Sequence, residues 1–223
     1  MENKKMISKE EMLEKFSIDI DTVTGRDFIL GHVIYELVNY EKYKKKLESV
    51  VHKKFLDMAV TYRVVIDDNK ERRASYLIGK ELLESKNITE NDLDRAAEQN
   101  IRRMGCRFES IMKVLGYILK AEESWDTPED MVYVVTNENY NNGSSIMMID
   151  DVMDSICEKL GGRMFVIPSS RDELIVIPCG LYDGAITEII NTISQVNETL
   201  TEDEYLSDKL YVYEKGGRMQ IVA

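Results

Sequence analysis

The apolar residues of this chain come in short β-forming runs closed by turn residues, and the sharpest instance is RMFVIPSSRDELIVIP, residues 163–178. Phe165 to Ile167 and Leu174 to Ile177 flank a Pro-Ser-Ser-Arg-Asp-Glu segment of turn composition, so the stretch predicts a β-hairpin. A catalytic reading of the same turn needs a base beside Ser169 or Ser170, usually a histidine held by a third group. The only histidines are His32 and His52, both distant in sequence, and no G-x-S-x-G elbow occurs. A hairpin connection accounts for every residue of the segment.

The remaining runs alternate between helical and strand periods. Ser8 and Glu11 make a capping-box pair for a short helix over 9–15. Leu30, Val33, Ile34, Leu37 and Val38 share one face of a helix predicted over 27–38, with His32 and Glu36 on the other; a lysine-rich helical piece follows at 41–49. Residues 57–78 predict a hairpin with a long polar connection. Three helices come next: one over 79–86, one capped by Thr89 and stopped by Gly105, and one over 108–121. SWDTPED, 124–130, marks a boundary. Beyond it the pattern predicts a strand over 131–136, a turn at Asn142-Gly143, a strand over 144–149, and a helix capped by Asp150 or Asp151 and ended by Gly161-Gly162. After the 163–178 hairpin come a helix over 184–196 and a last hairpin, 209–222, turned by Gly216-Gly217. At an offset of 70 residues, YRVVIDDN and ASYLI align with VYVVTNEN and SSIMM, which fits either a duplicated ββα unit or two hairpins of independent origin.

Charge divides the chain. Residues 1–120 hold 23 Lys/Arg against 21 Asp/Glu, whereas residues 121–223 hold 6 against 20, within a net charge of −12. The tracts 121–158 and 172–208 contain ten and nine acids and no base. Such a half repels nucleic acid and anionic membrane and attracts a basic protein surface; the plainer reading is a solvated surface that keeps the protein soluble. The candidate interaction residues are Glu122, Glu123, Asp126, Glu129, Asp130, Asp150, Asp151, Asp154, Glu202, Asp203 and Glu204. Lys42, Lys44, Lys45, Lys46, Lys53 and Lys54 cluster, but interleaved acids argue against direct nucleic-acid binding.

Other chemistry lacks its signatures. Cys106, Cys157 and Cys179 form no C-x-x-C pair, and Cys157 falls on an apolar helical stripe with Val152, Met153, Ile156 and Leu160, as a core residue would. There is no phosphate-binding glycine loop, and no cofactor or metal is expected. The amino terminus is too charged for a signal peptide and no apolar run approaches the ~20 residues of a membrane span, so a cytoplasmic location is expected.

In order, the blocks HKKFLDMAVTYRVVIDD, ITENDLDRAAEQN, MVYVVTNE, NGSSIMM, KLGGRMFVIPSSRDELIVIP and LSDKLYVYEK resemble the bacterial proteins grouped as domain-of-unknown-function family 5688, over residues 27–216. The resemblance implies one α+β unit and a setting among accessory genes of mobile elements in gut bacteria, and it implies no reaction. Members of that family often read Ser-Ser-hydrophobic-His-Glu where this chain has Ser169, Ser170, Arg171, Asp172 and Glu173. Asp172 stands in the histidine's place, so the chain lacks an imidazole at this turn.

The expected fold is α+β, with a mainly helical first half carrying one β-hairpin and a second half of antiparallel strand pairs with two packed helices. Residues 1–26 form a variable segment, 27–123 the helix-rich half and 124–223 the acidic half, in one continuous domain or two. The expected function is a non-enzymatic interaction or accessory protein with a protein partner. One alternative is an acidic nucleic-acid mimic that occupies the basic channel of a nuclease or defence enzyme. Another is a hydrolase or nucleotide-binding enzyme in which His52, Asp57, Ser169 and Ser170 converge on one pocket.

Overall fold

A computed structural model of the chain describes residues 19–68, 73–114, 132–181, 186–217 and 219–222. It is an α+β fold in which two antiparallel sheets share a core. Helices α1 (Ile20–Val23) and α2 (Arg26–His32) lead into strand β1 (Val33–Asn39) and helix α3 (Tyr40–Leu47). Strands β2 (His52–Phe55), β3 (Met58–Asp68) and β4 (Arg73–Leu77) complete the first sheet. β3 is its spine: β1 pairs along one side, while β2 and β4 lie end to end along the other.

Helices α4 (Lys80–Ser85) and α5 (Glu90–Arg103) follow. Thr89 and Asp92 close a capping box at the start of α5, satisfying amide groups that the first turn leaves free. Leu93, Ala97 and Ile101 then bury one helical stripe against β1. The second sheet takes β5 (Arg107–Ser110), β6 (Tyr133–Thr136), β7 (Arg163–Ser170), β8 (Glu173–Pro178), β9 (Tyr211–Glu214) and β10 (Gln220–Ile221), in the order β10-β9-β7-β8-β6-β5. Helix α6 (Asp150–Lys159) covers the core face of this sheet, and α7 (Ile186–Asn197) packs on its outer face.

The main core draws on both halves, with Ile29, Val33, Leu37 and Tyr62 joined by Val135, Ile146, Met153, Val166 and Tyr211. Cys157 is fully buried within it. A smaller core under α7 contains Phe165, Ile167, Ile177, Ile193, Leu210 and Val212. The expected hairpins at 57–78, 163–178 and 209–222 are present as β3-β4, β7-β8 and β9-β10. No helix among the described residues is long and apolar enough to cross a membrane.

Four local expectations are corrected. The helix over 27–38 stops at His32 and continues as β1, because residues 33–39 pair with β3 and the Asn100 side chain donates to the carbonyls of Leu30 and Val33 where helix turns into strand. Burial of β1 on both faces had made its apolar pattern equally compatible with a helix. Consequently Glu36, expected on a polar helix face, is only 2% exposed. Residues 107–110, expected to approach and begin a helix, form β5 instead, with helix at 111–114.

Residues Gly143–Met148, expected as a strand after the Asn142-Gly143 turn, form a buried 3-10 turn. Asn142 adopts a left-handed conformation, and Gly143 lies so close to Asp172 O and Thr136 Oγ1 that any Cβ would collide with them. The 70-residue echo therefore aligns a true hairpin with a strand and a 3-10 turn. Finally, Ile149 rather than an aspartate stands at the start of α6. The 9–15 helix, the 124–130 boundary and the 115–121 end of the third helix lie outside the described residues.

Candidate binding site

The β7-β8 hairpin presents one side of its turn to the inter-sheet core and the other to the outer face. In β7 the ladder shifts between Ile167 and Ser170, where Pro168 has no N–H to contribute. This bulge adds a residue opposite β8 and bends the strand end. On the inner side, the Arg171 carbonyl accepts from Ser144 N (3.2 Å) and Oγ (2.6 Å), while Asp172 accepts Asn142 N (2.8 Å) on its carboxylate and Thr136 Oγ1 (2.7 Å) on its carbonyl. Asp172, the residue in the histidine's place, thus anchors the 3-10 turn.

The Arg171 guanidinium reaches Glu36 at 3.7 Å, and Glu36 also pairs with Arg63 Nε at 2.8 Å and receives Thr61 Oγ1 on its backbone carbonyl at 3.1 Å. The resulting charged seam ties β1 and β3 of the first sheet to the hairpin of the second.

On the outer side, period-two alternation along β8 places Glu173, Ile175 and Ile177 on one face. Ile175 and Ile177, with Ile167 of β7 and Ile189 and Ile193 of α7, wall an open apolar trough of about 510 Å³. A second cavity of about 340 Å³ lies against β5 and β6, with Arg107, Glu109, Thr136 and Tyr140 in its wall. Glu173 lines both.

The charges around the two cavities are unequally matched. Arg107 Nη2 donates to both oxygens of Glu109 at 3.0 and 3.1 Å, its Nη1 lies 3.4 Å from Glu138, and its guanidinium stands 4.9 Å from the Tyr140 ring centre. Glu109 also has Lys113 at 3.5 Å. Glu173 has no cationic partner among the described residues; Ser169 Oγ, at 3.5 Å, is a long contact. Burial pushes the Glu173 carboxyl above the usual glutamate range, Ser169 opposes the rise, and the nearby Asp172 charge adds to it. A carboxylate held in an apolar wall without a counter-ion is a common mark of a ligand or catalytic site.

The other candidate residues are distributed elsewhere. His52, on β2, has Nδ1 3.1 Å from Val50 O, and Asp57 accepts Ser207 Oγ (2.6 Å) and the Tyr211 hydroxyl. Ser170 Oγ accepts Asp172 N at 3.1 Å. No hydrogen bond joins His52, Asp57, Ser169 and Ser170 to one another, apart from their separate links to neighbours. His32 is exposed on α2 and stacks on Phe28. Neither histidine is hydrogen-bonded to a serine, so no serine-histidine pair is formed among the described residues. No group of His, Cys, Asp or Glu there is arranged to hold a metal ion.

Of the acidic candidates, Asp151 is gripped by Arg102 (2.7 and 2.6 Å), which holds its carboxyl below the usual range. Asp154 accepts the Tyr213 hydroxyl and Gly216 N, both at 2.8 Å, and Asp150 offers its carbonyl to Tyr213 at 3.4 Å. Asp203 accepts the Tyr43 hydroxyl at 2.8 Å and Glu204 accepts Thr201 Oγ1 at 2.6 Å, while Glu202 is exposed. The first group sits on α6 beside α5; the second lies beside α3 and its lysines, where Lys42 stands over the Tyr205 ring. Glu122, Glu123, Asp126, Glu129 and Asp130 lie outside the described residues.

Sequence reasoning missed Glu36, Arg63, Arg107, Arg171 and Glu173 as functional candidates. For Glu173 a signal existed, since alternation puts an acid on the same face as Ile175 and Ile177.

The chain belongs to a family of unknown function, DUF5688, whose model matches residues 3–215. The match begins well before residue 27, so it takes in most of the segment expected to be variable. No curated protein and no solved structure matches the chain.

Proposed function

We propose that the protein is a non-catalytic interaction module whose partner, a segment of another protein, seats in the outer-face trough between β8 and α7. The observation that carries this reading is Glu173, a partly buried carboxyl that lines both cavities and has no counter-ion among the described residues. Apolar walls with a few polar groups at one end suit recognition. Chemistry is less well supported, since neither histidine is hydrogen-bonded to a serine. The accessory role in a mobile element that the family resemblance implies is compatible with a binder that turns nothing over. The nucleic-acid-mimic reading gains less support: its described acids divide between α6 and the segment beside α3, and several are engaged within the chain.

The test is site-specific photo-crosslinking in the source cells, with the crosslinking residue at the exposed Thr192 on the trough rim or at the exposed Asp27 of α2. A discrete protein adduct from position 192 alone is expected. Adducts from position 27 alone, or reproducible turnover of a small-molecule panel abolished by one point substitution, would overturn the reading.

A further inference from the structure

We infer that the segment received by the trough carries a basic side chain, lysine or arginine, between bulky apolar ones, with its cation held by Glu173; this rests on the trough being the binding surface. The two cavities are lined by three carboxylates, Glu109, Glu173 and Glu188, against one guanidinium, Arg107. That guanidinium is already committed to Glu109 and Glu138, and Glu109 has Lys113 as well. Among the described residues the uncompensated charge is therefore on the Glu173 side, beside the Ser169 hydroxyl.

Covering Glu173 with a wholly apolar segment would remove its remaining water and leave an unpaired buried charge, which is costly. An acidic segment or a phosphate backbone would add like-charge repulsion. A lysine or arginine satisfies both halves of the site, because its methylene stem lies on Ile175 and its head reaches the carboxylate. Apolar neighbours on the segment continue the contact over Ile189, Ile193 and the exposed Val196.

The experiment pans a random-peptide display library against the full chain and measures the enriched peptide by calorimetry. The peptide and its analogue with norleucine in place of the basic residue are each titrated into the native protein, Glu173→Gln and Thr192→Trp. Thr192 is exposed, so a tryptophan there obstructs the trough without entering the core. Enriched peptides should carry the basic-apolar pattern. Removing either charge should weaken binding about tenfold, and removing both should cost little more than removing one. If Thr192→Trp abolishes binding but the norleucine analogue loses as much on Glu173→Gln as on the native protein, the cation is bound elsewhere; this inference fails and the trough survives. If Thr192→Trp leaves binding intact, or no peptide is enriched, the trough reading fails with it.

Discussion

Glu36→Ala should be among the most damaging single substitutions in the chain outside the apolar core. Glu36 is 2% exposed and pairs with Arg63 at 2.8 Å and Arg171 at 3.7 Å. Deleting one partner of a buried ion pair strands the other charges and costs about 3–5 kcal/mol when all are buried. The Arg63 and Arg171 side chains keep 20% and 26% of their exposure, so water screens part of the loss. A cost of about 2–3 kcal/mol follows from that discount. For a domain of this size that corresponds to a fall in Tm of about 5–10 °C. Urea unfolding followed by circular dichroism measures it, with an unchanged slope expected because the native surface is the same. The triple substitution Glu36→Met, Arg63→Met, Arg171→Met should recover part of the loss, since it removes the charges together. A Glu36→Ala cost below about 0.5 kcal/mol, the level of an ordinary surface change, would refute the buried seam.

Four further outcomes follow. Burial raises the Glu173 pKa in the folded chain above its unfolded value, so the stability present below the unfolded pKa is lost as pH rises through the folded one. Glu173→Gln should therefore be more stable than the native protein at neutral pH, with the advantage vanishing in acid; equal melting curves at pH 7 would contradict this. Asp151 and Asp154 have the opposite sign, because their lowered values make their contribution fade as pH falls, and removing Asp151 should flatten the acid limb of the stability profile. Gly143→Ala should cost about 1–3 kcal/mol by overpacking against Asp172 and Thr136, read from the same urea curves. Thr89→Ala should cost about 1 kcal/mol through loss of the α5 capping box, and no change would mean that the cap is not formed in solution.

Much turn and capping chemistry was legible in the sequence because it acts over a few residues, although the aspartate cap expected for α6 is not formed. The Thr89 cap of α5, the Gly161-Gly162 stop of α6 and the Arg171-Asp172 turn all lie where local signals put them. Elements decided by distant contacts were not legible. The run from Val33 to Val38 fits a helix or a strand buried on both faces, and contacts far along the chain, the ladder to β3 and Asn100, select the strand. Likewise β5 exists because β6 pairs with it, and the 3-10 turn at 143–148 exists because the β7-β8 hairpin presses on Gly143. The same limit hid the seam: Glu36, Arg63 and Arg171 are ordinary polar-face residues until β1, β3 and β7-β8 converge. Glu173 was half legible, since its face could be read from alternation but its missing counter-ion could not.

The most direct test of the account is methyl-resolved NMR on the complex of the protein with the enriched peptide. Intermolecular contacts from the peptide to the Ile175, Ile189 and Ile193 methyl groups, lost in Thr192→Trp, are the predicted result. Contacts that map instead to α3 and the segment around Tyr205, with the trough methyl groups unmoved, would contradict it.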